Sequence, residues 1–275
     1  MAKTQTQPEI GSLLREWREH RRVTQLALAL DAGVSTRHLS FVETGRSQPG
    51  REMLLRVLEQ LEVPFREQNR LLLAAGHAPA YPERSLEDSD LTPVREALDA
   101  ILSGHEPYPA VAVDRAWNMV AANASMLGLA EAVEIAPELL EPPINVIRVG
   151  LHPRGLGPLF VNLGHWHTHW LKRLEHQLAV TGDEQLASLV DEIAGYPVPE
   201  PDATAGFAAG EMLGPVRVRA PDGGELSFFG MFASFDTPFE VTTSELAVEL
   251  LFPADRTTAE TLRERESSLR RTRQG

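Results

Sequence analysis

The stretch from Gln25 to Arg46, QLALALDAGVSTRHLSFVETGR, constrains the fold more than any other part of the chain. It reads as two short helices joined by a tight turn. Thr24 is placed to cap the first, which runs through Leu26, Leu28, Ala29 and Leu30. Ala32-Gly33-Val34 makes the turn, where glycine accepts a positive φ without steric cost. Ser35 caps the second helix by accepting a bond from an orphan backbone N–H. Leu39 and Val42 lie three apart, so they share one face and turn inward. Thr36, Arg37, Ser40 and Thr44 then point outward, and Phe41 is the one long apolar side chain among them. Small Ala29 lets the helices approach closely. This is the layout of a helix-turn-helix, whose second helix enters the DNA major groove. The plain alternative is a helical hairpin inside an ordinary core.

Two helices of this size need support. The flanking sequence supplies a helix from Ile10 to His20 with the stripe Leu13, Leu14 and Trp17, and with Arg15, Arg18, Arg21 and Arg22 outside it. After a breaker-rich loop, Gly45 to Pro49, a helix from Arg51 to Leu61 carries Met53, Leu54, Val57, Leu58 and Leu61 at helical spacing. Pro64 opens a fifth, with Phe65, Leu71, Leu72 and Leu73, before Gly76. Residues 1–76 thus form an expected all-α five-helix bundle.

Residues 10–76 resemble the Cro/repressor-type (XRE family) DNA-binding domain, through Gly33-Val34-Ser35, Leu39-Ser40 and Glu43-Thr44-Gly45-Arg46 with Pro49. The resemblance implies a double-stranded DNA partner. It implies phosphate or base-edge contact by Gln25, base reading by Thr36, Arg37 and Phe41, and phosphate contact by Arg46 and Ser47. With Ser35, Ser40 and Thr44 these make up the expected DNA-facing set. It also implies that Arg18 and Glu43 pair with each other as a structural contact. Chemistry supports Arg37 independently, since a guanidinium can bind guanine O6 and N7 with both arms. Phe41 can pack on a thymine methyl or join the helical core.

At 275 residues the chain holds two domains with real cores. The net charge of −13 looks wrong for a DNA binder until it is divided. Residues 1–76 hold 11 Lys/Arg and 9 Asp/Glu, whereas the remainder holds 15 and 30. The acidity belongs to the second part, which should stay clear of DNA. No cysteine is present, which excludes disulfides, thiolate metal sites and a flavin–cysteine photoreceptor, and fits a reducing cytoplasm. No apolar run approaches the roughly 20 residues of a membrane span, and MAKTQTQPEI lacks the apolar core of a signal peptide. The expected location is cytoplasmic, away from membranes.

Residues 77–91, rich in Pro and charge, read as a linker. Thr92-Pro93 then starts a helix through Val94, Leu98, Ile101 and Leu102. Over 92–275 the pattern predicts a strand at Tyr108–Asp114, a turn at Arg115-Ala116, and an antiparallel partner at Trp117–Ala121. Helices are expected from Asn123, over Glu131–Leu140, over Asn145–Gly150, over Gly164–Leu178, and from Gly182-Asp183. Pro197, Pro199 and Pro201 make a short extended passage. Three strands follow: Val216–Ala220, Leu226–Phe235 across an Asp222-Gly223-Gly224 hairpin turn, and Val241–Phe252, with Leu246, Val248 and Leu250 on one face. Thr257 to Glu260 reads as a capping box for a last helix. Two strands, helices, then three strands is the order of an α+β, PAS-like domain with a five-stranded antiparallel sheet. Phe228 and Phe232 point to one side of their strand, Phe229 and Met231 to the other, so one apolar face needs a cover: a helix, a ligand or a second subunit.

This half resembles the ligand-binding domain of MmyB-like transcription regulators. The resemblance is carried by Glu106-Pro-Tyr-Pro109, Val113-Asp-Arg-Ala-Trp-Asn118 with Ala122-Asn123, Asn145-Val-Ile-Arg148 with His152-Pro153, Leu226-Ser-Phe-Phe229, Phe235-Asp-Thr-Pro238 and Phe252-Pro-Ala-Asp255. It implies a sensor for a small amphipathic or fatty-acid-like molecule. Residues 155–215 carry no assignable motif.

The candidate ligand-binding residues are Trp117, Asn123, Arg148, His165, Phe229 and Met231, each with a packing alternative. Arg148 lies in an apolar stretch and needs a partner, either a structural carboxylate or that of a ligand. His165 and His169 are i and i+4 on a helix, but no strong third metal ligand follows. No catalytic constellation, cofactor motif or metal site stands out. The reading is a dimeric, non-enzymatic, ligand-controlled DNA-binding regulator. The alternative is a DNA-binding protein whose second domain only dimerises or recruits a partner protein.

Overall fold

The computed structural model describes residues 10–131, 133–181, 183–198, 214–220, 223–236 and 238–274, with side chains described to residue 268. Its elements, in chain order, are α1 (Ile10–His20), α2 (Gln25–Asp31), α3 (Thr36–Glu43), α4 (Arg51–Gln60), α5 (Phe65–Ala74), α6 (Thr92–Gly104), β1 (Ala110–Val113), β2 (Met119–Ala122), α7 (Ala124–Ala130), α8 (Val146–Leu151), α9 (Leu163–Thr181), α10 (Glu184–Ala194), β3 (Val216–Arg219), β4 (Glu225–Ser234), α11 (Val241–Ser244), β5 (Ala247–Pro253) and α12 (Arg256–Gln274). They form two compact units. One is Met1–Ser85 with Thr237–Ser244; the other is Leu86–Asp236 with Glu245–Gly275. The stretch expected as a linker, 77–91, contributes to both.

In the first unit, α1 to α5 enclose a core in which Leu14, Leu28, Leu39, Val42, Leu54, Leu58 and Leu72 are fully buried. Thr24 caps α2 by accepting from Ala27 N at 3.2 Å, and Ser35 caps α3 by accepting from His38 N at 3.1 Å. Gly33 turns the chain between them at φ +65°. Gly11 sets how closely α1 meets α3: a Cβ there would fall 2.4 Å from the Val42 carbonyl oxygen. The short helix α11 completes this unit. Val241 N donates to Pro82 O at 2.9 Å, and Thr242 Oγ1 donates to Arg84 O at 2.6 Å. A strand was expected from Val241 onward. Instead the Glu240 carboxylate accepts from the N–H groups of Thr242 and Thr243, which caps one helical turn and delays the strand to Ala247.

In the second unit the five strands pair antiparallel in the order β2-β1-β5-β4-β3, so β5 is central. Successive side chains of a strand face opposite ways. Ala110, Ala112, Leu246 and Val248 therefore pack against Leu98 and Leu102 of α6. Val111 and Val113 face the other way, onto Trp170 and Leu174 of α9. Asn123 caps α7, Asn145 caps α8 and Asp183 caps α10. The helix expected over Glu131–Leu140 is absent, and only Pro137–Leu139 makes a 3-10 turn. Pro137 keeps the residue before it out of the helical region, and the Ala136 N–H bonds Arg154 O instead. The last helix begins at Arg256, and Asp255 rather than Thr257 caps it, accepting from Thr258 N at 2.7 Å. Gly223 sits at φ +85° in the β3–β4 hairpin. Asp222, Pro199 and Pro201 lie outside the described residues.

Candidate functional site

The outward face of α3 begins at a capped N-terminus. Ser35, Arg37, Thr44 and Arg46 are exposed, while Thr36, Ser40, Phe41 and Ser47 are half-buried. Phe41 does not join the helical core. Its ring lies under Arg37, whose guanidinium carbon sits 5.3 Å from the ring centroid. Such stacking restrains a long, flexible cation at modest cost to its hydration. The Thr44 hydroxyl donates to Ser40 O at 2.8 Å, and the backbone N–H groups of Arg46 and Ser47 both return to Phe41 O. The residues after the helix are thus held in a compact turn.

Behind this face lies a buried ion pair. Arg18 Nε and Nη2 donate to the two Glu43 carboxylate oxygens at 2.7 and 2.9 Å, and the Glu43 side chain is only 1% exposed. The hydrogen bond to Glu43 is the main reason that the Arg18 guanidinium is held above its ordinary pKa. The structural pairing expected of Arg18 and Glu43 is thus present, with the Arg18 side chain 11% exposed. Gln25 is drawn into the same network, donating Nε2 to Glu43 Oε2 at 2.7 Å. Its amide nitrogen carries a second N–H.

The second unit holds a partly open cavity of about 280 Å³ between the sheet and α7 to α9. Its walls are almost wholly aliphatic and aromatic, with Val111, Met126, Ile147, Trp170, Phe228 and Leu251 among them. Among the described residues two ionisable side chains line it. Arg219 is an exposed residue at the end of edge strand β3 and donates to Pro158 O at 2.9 Å. Glu249 lies on the central strand, opposite Val111 and Phe232. Burial pushes its carboxyl up to about 7, although Arg173 pulls the other way. Glu249 is half-buried and is among the residues that line the cavity.

None of the six expected ligand residues lines this cavity. Phe229 and Met231 are on the opposite face, because β4 turns Leu226, Phe228, Gly230 and Phe232 toward the cavity side. Phe229 stacks on Phe252 with centroids 5.6 Å apart, and Met231 is exposed. Arg148 is bound to Glu192 at 2.7 Å, so its partner is structural. Burial alone would raise the Glu192 carboxyl, but hydrogen bonds from Arg148 and Tyr196 outweigh it and hold the group low. Asn123 spends its side chain on Met126 N, Ala110 N, Leu102 O and Tyr108 O. Trp117 is buried against Trp170 and Phe232, and its indole N–H donates to Gln177 at 2.9 Å. His165 is on α9, but the cavity-lining residues of that helix are Trp166 and Trp170. Between His165 and His169, His167 is buried and bonds Ile193 O at 2.8 Å. Among the described residues no three His, Cys, Asp or Glu side chains gather as a metal site.

The model of the MmyB-like transcription regulator ligand binding domain matches residues 94–264, more than half of the chain. The chain belongs to the MmyB-like transcription regulators. A helix-turn-helix model matches residues 14–68 of this MmyB-like protein. A relative in Bacillus subtilis (strain 168), described as the uncharacterized HTH-type transcriptional regulator RghRB, is 33% identical over 99 residues. The match covers 36% of this chain and 63% of the relative. Two solved structures are also similar. The SinR protein/SinI protein complex gives 24% identity and a TM-score of 0.21, over 36% of this chain and 84% of that one. An RNA-binding Light-Oxygen-Voltage receptor gives 14% identity and a TM-score of 0.25, over 97% of this chain and 70% of that one. The chain thus carries a helix-turn-helix region followed by a ligand-binding domain of the MmyB-like type, built of five antiparallel strands and helices. Among the described residues no helix is long and apolar enough to cross a membrane.

Proposed function

We propose that the MmyB-like protein acts as a homodimer, is not an enzyme, and reads a two-half-site operator through α3. In this reading Arg37 contacts a base edge, with Thr36, Ser40 and Phe41 beside it. Ser35, Thr44, Arg46, Ser47 and the second N–H of Gln25 position the phosphate backbone. The observation that supports it is the exposed Arg37 stacked on Phe41, on a helix fixed from behind by Arg18 and Glu43. Half-sites about one helical turn apart suit a two-fold dimer. The effector is a small amphipathic molecule with a fatty-acid-like apolar chain, held in the cavity of the second unit. It alters DNA affinity by binding one dimer state better than the other.

Selection of bound sequences from a random DNA pool by the purified full chain tests the operator reading. Recovery of a two-fold-symmetric site supports it, and a pool no more enriched than input overturns it. Native mass spectrometry of the purified protein tests the effector reading, since an amphipathic adduct of one molecule per chain is expected.

A further inference from the structure

The ligand reading leaves open what end-group the cavity accepts. Glu249 is the acid on its wall, and its setting is built. It stands on the central strand, between the cavity-facing positions of β1 and β4. Diagonally across from it on β4, Gly230 has no side chain to occupy the space: a Cβ there would be 3.2 Å from Glu249 Oε1. Among the described residues the Glu249 carboxyl makes no hydrogen bond or close ion pair. The charged group acting on it is Arg173 of α9. That guanidinium is occupied by aromatic rings, lying 4.3 Å from the Phe232 centroid, 5.1 Å from Trp117 and 5.3 Å from Trp170. The same helix also carries His165, His169, Lys172, Glu175 and His176 around Arg173, and burial, Arg173 and His165 hold His169 below its usual pKa. The cation lining the cavity, Arg219, is two strands away. Its register partner Glu225 is separated along β4 from Phe232, the partner of Glu249, by roughly 23 Å at 3.3 Å per residue.

We propose that Glu249 selects the ligand's polar end: the cavity takes an elongated apolar molecule ending in a neutral hydrogen-bonding group, an alcohol, amide or ester, in preference to a free carboxylate. The inference rests on the cavity being the ligand site. An uncharged carboxyl can donate to such a group and also accept from an alcohol or amide. A ligand carboxylate at the same place would set two acids together in an apolar enclosure, where both cannot remain ionised. Filling the cavity with an apolar chain also removes water from Glu249, so binding is coupled to its protonation.

The test uses 1-decanol and decanoate, two probes of equal chain length and different head charge, at submicellar concentration. Binding to the full-length protein is read by tryptophan fluorescence, because Trp166 and Trp170 line the cavity. Decanol should bind at least tenfold more tightly than decanoate at pH 6, and its affinity should fall about tenfold between pH 6 and pH 8. Glu249→Gln, nearly the same shape, should keep decanol binding and lose that pH dependence. Glu249→Leu should shrink the preference for decanol over decanoate. Decanoate binding as tightly as decanol, or an unaltered pH profile in Glu249→Gln, overturns the selection by Glu249 while leaving the cavity as the ligand site. Failure of both probes to bind overturns the cavity reading and the inference with it.

Discussion

Arg18 and Glu43 meet through two nearly parallel hydrogen bonds, although 25 positions separate them in the sequence. Glu43 ends the reading helix, so this contact ties the orientation of α3 to α1. Removing one partner leaves a buried charge with less compensation. Arg18→Ala is expected to destabilise the protein by about 3–5 kcal/mol, measured by urea unfolding followed by circular dichroism. A loss below about 1 kcal/mol would show that α3 is held by its apolar face alone.

Gly11 makes a separate demand on the same junction. A methyl group there meets the Val42 and Glu43 carbonyl oxygens at 2.4 and 2.8 Å, and backbone cannot rotate away as a side chain can. Gly11→Ala should cost about 1–3 kcal/mol despite alanine's better helix propensity. A thermal melt no lower than wild type would contradict it.

Arg37→Ala is expected to weaken operator binding by about 1–3 kcal/mol and to relax preference at one base position. Arg46→Ala, by contrast, should weaken binding evenly across sequences and lower the salt slope by about one. Titrations of both variants at several salt concentrations, against a panel of single-base operator variants, separate base reading from phosphate contact.

Glu249 predicts an unusual dependence of stability on pH. Its folded value, about 7, lies above the ordinary 4.5 of the free side chain, so the folded state binds more protons between those values. Stability from this residue is present below about pH 4.5 and is lost as pH rises toward 7, with a slope of at most about 1.4 kcal/mol per unit. Glu249→Gln should remove that component and be more stable than wild type at pH 8. An identical pH profile in the two proteins would count against a buried, uncompensated acid.

The reading helix was legible because its signals are local. Thr24, Gly33, Ser35, Leu39 and Val42 each act within one or two turns of chain. The cavity was not. Its wall is made of Met126, Ile147, Leu251 and similar residues, which in sequence are indistinguishable from an ordinary core. Polar residues such as Arg148 and Asn123 drew attention as candidate ligands, yet each satisfies a fold-level demand, one an ion pair and the other a cap. The available clue was Glu249 itself, an acid among apolar neighbours in AVELLF. Alternation puts Leu246, Val248 and Leu250 on one face and leaves Glu249 on the other, with nothing in the sequence to say what that face meets. Gly11 gave no signal, because a close approach between helices depends on a contact 31 positions away.

The assignment of Thr237–Ser244 to the first unit, with chain on both sides of it in the second, bears on modularity. A reader transplanted onto another sensor as residues 1–85 would arrive without α11, and the carbonyls of Pro82 and Arg84 would lose their donors. A working transplant therefore has to carry two pieces that are far apart in the chain, 1–85 and 237–244, with the sensor's sequence between them.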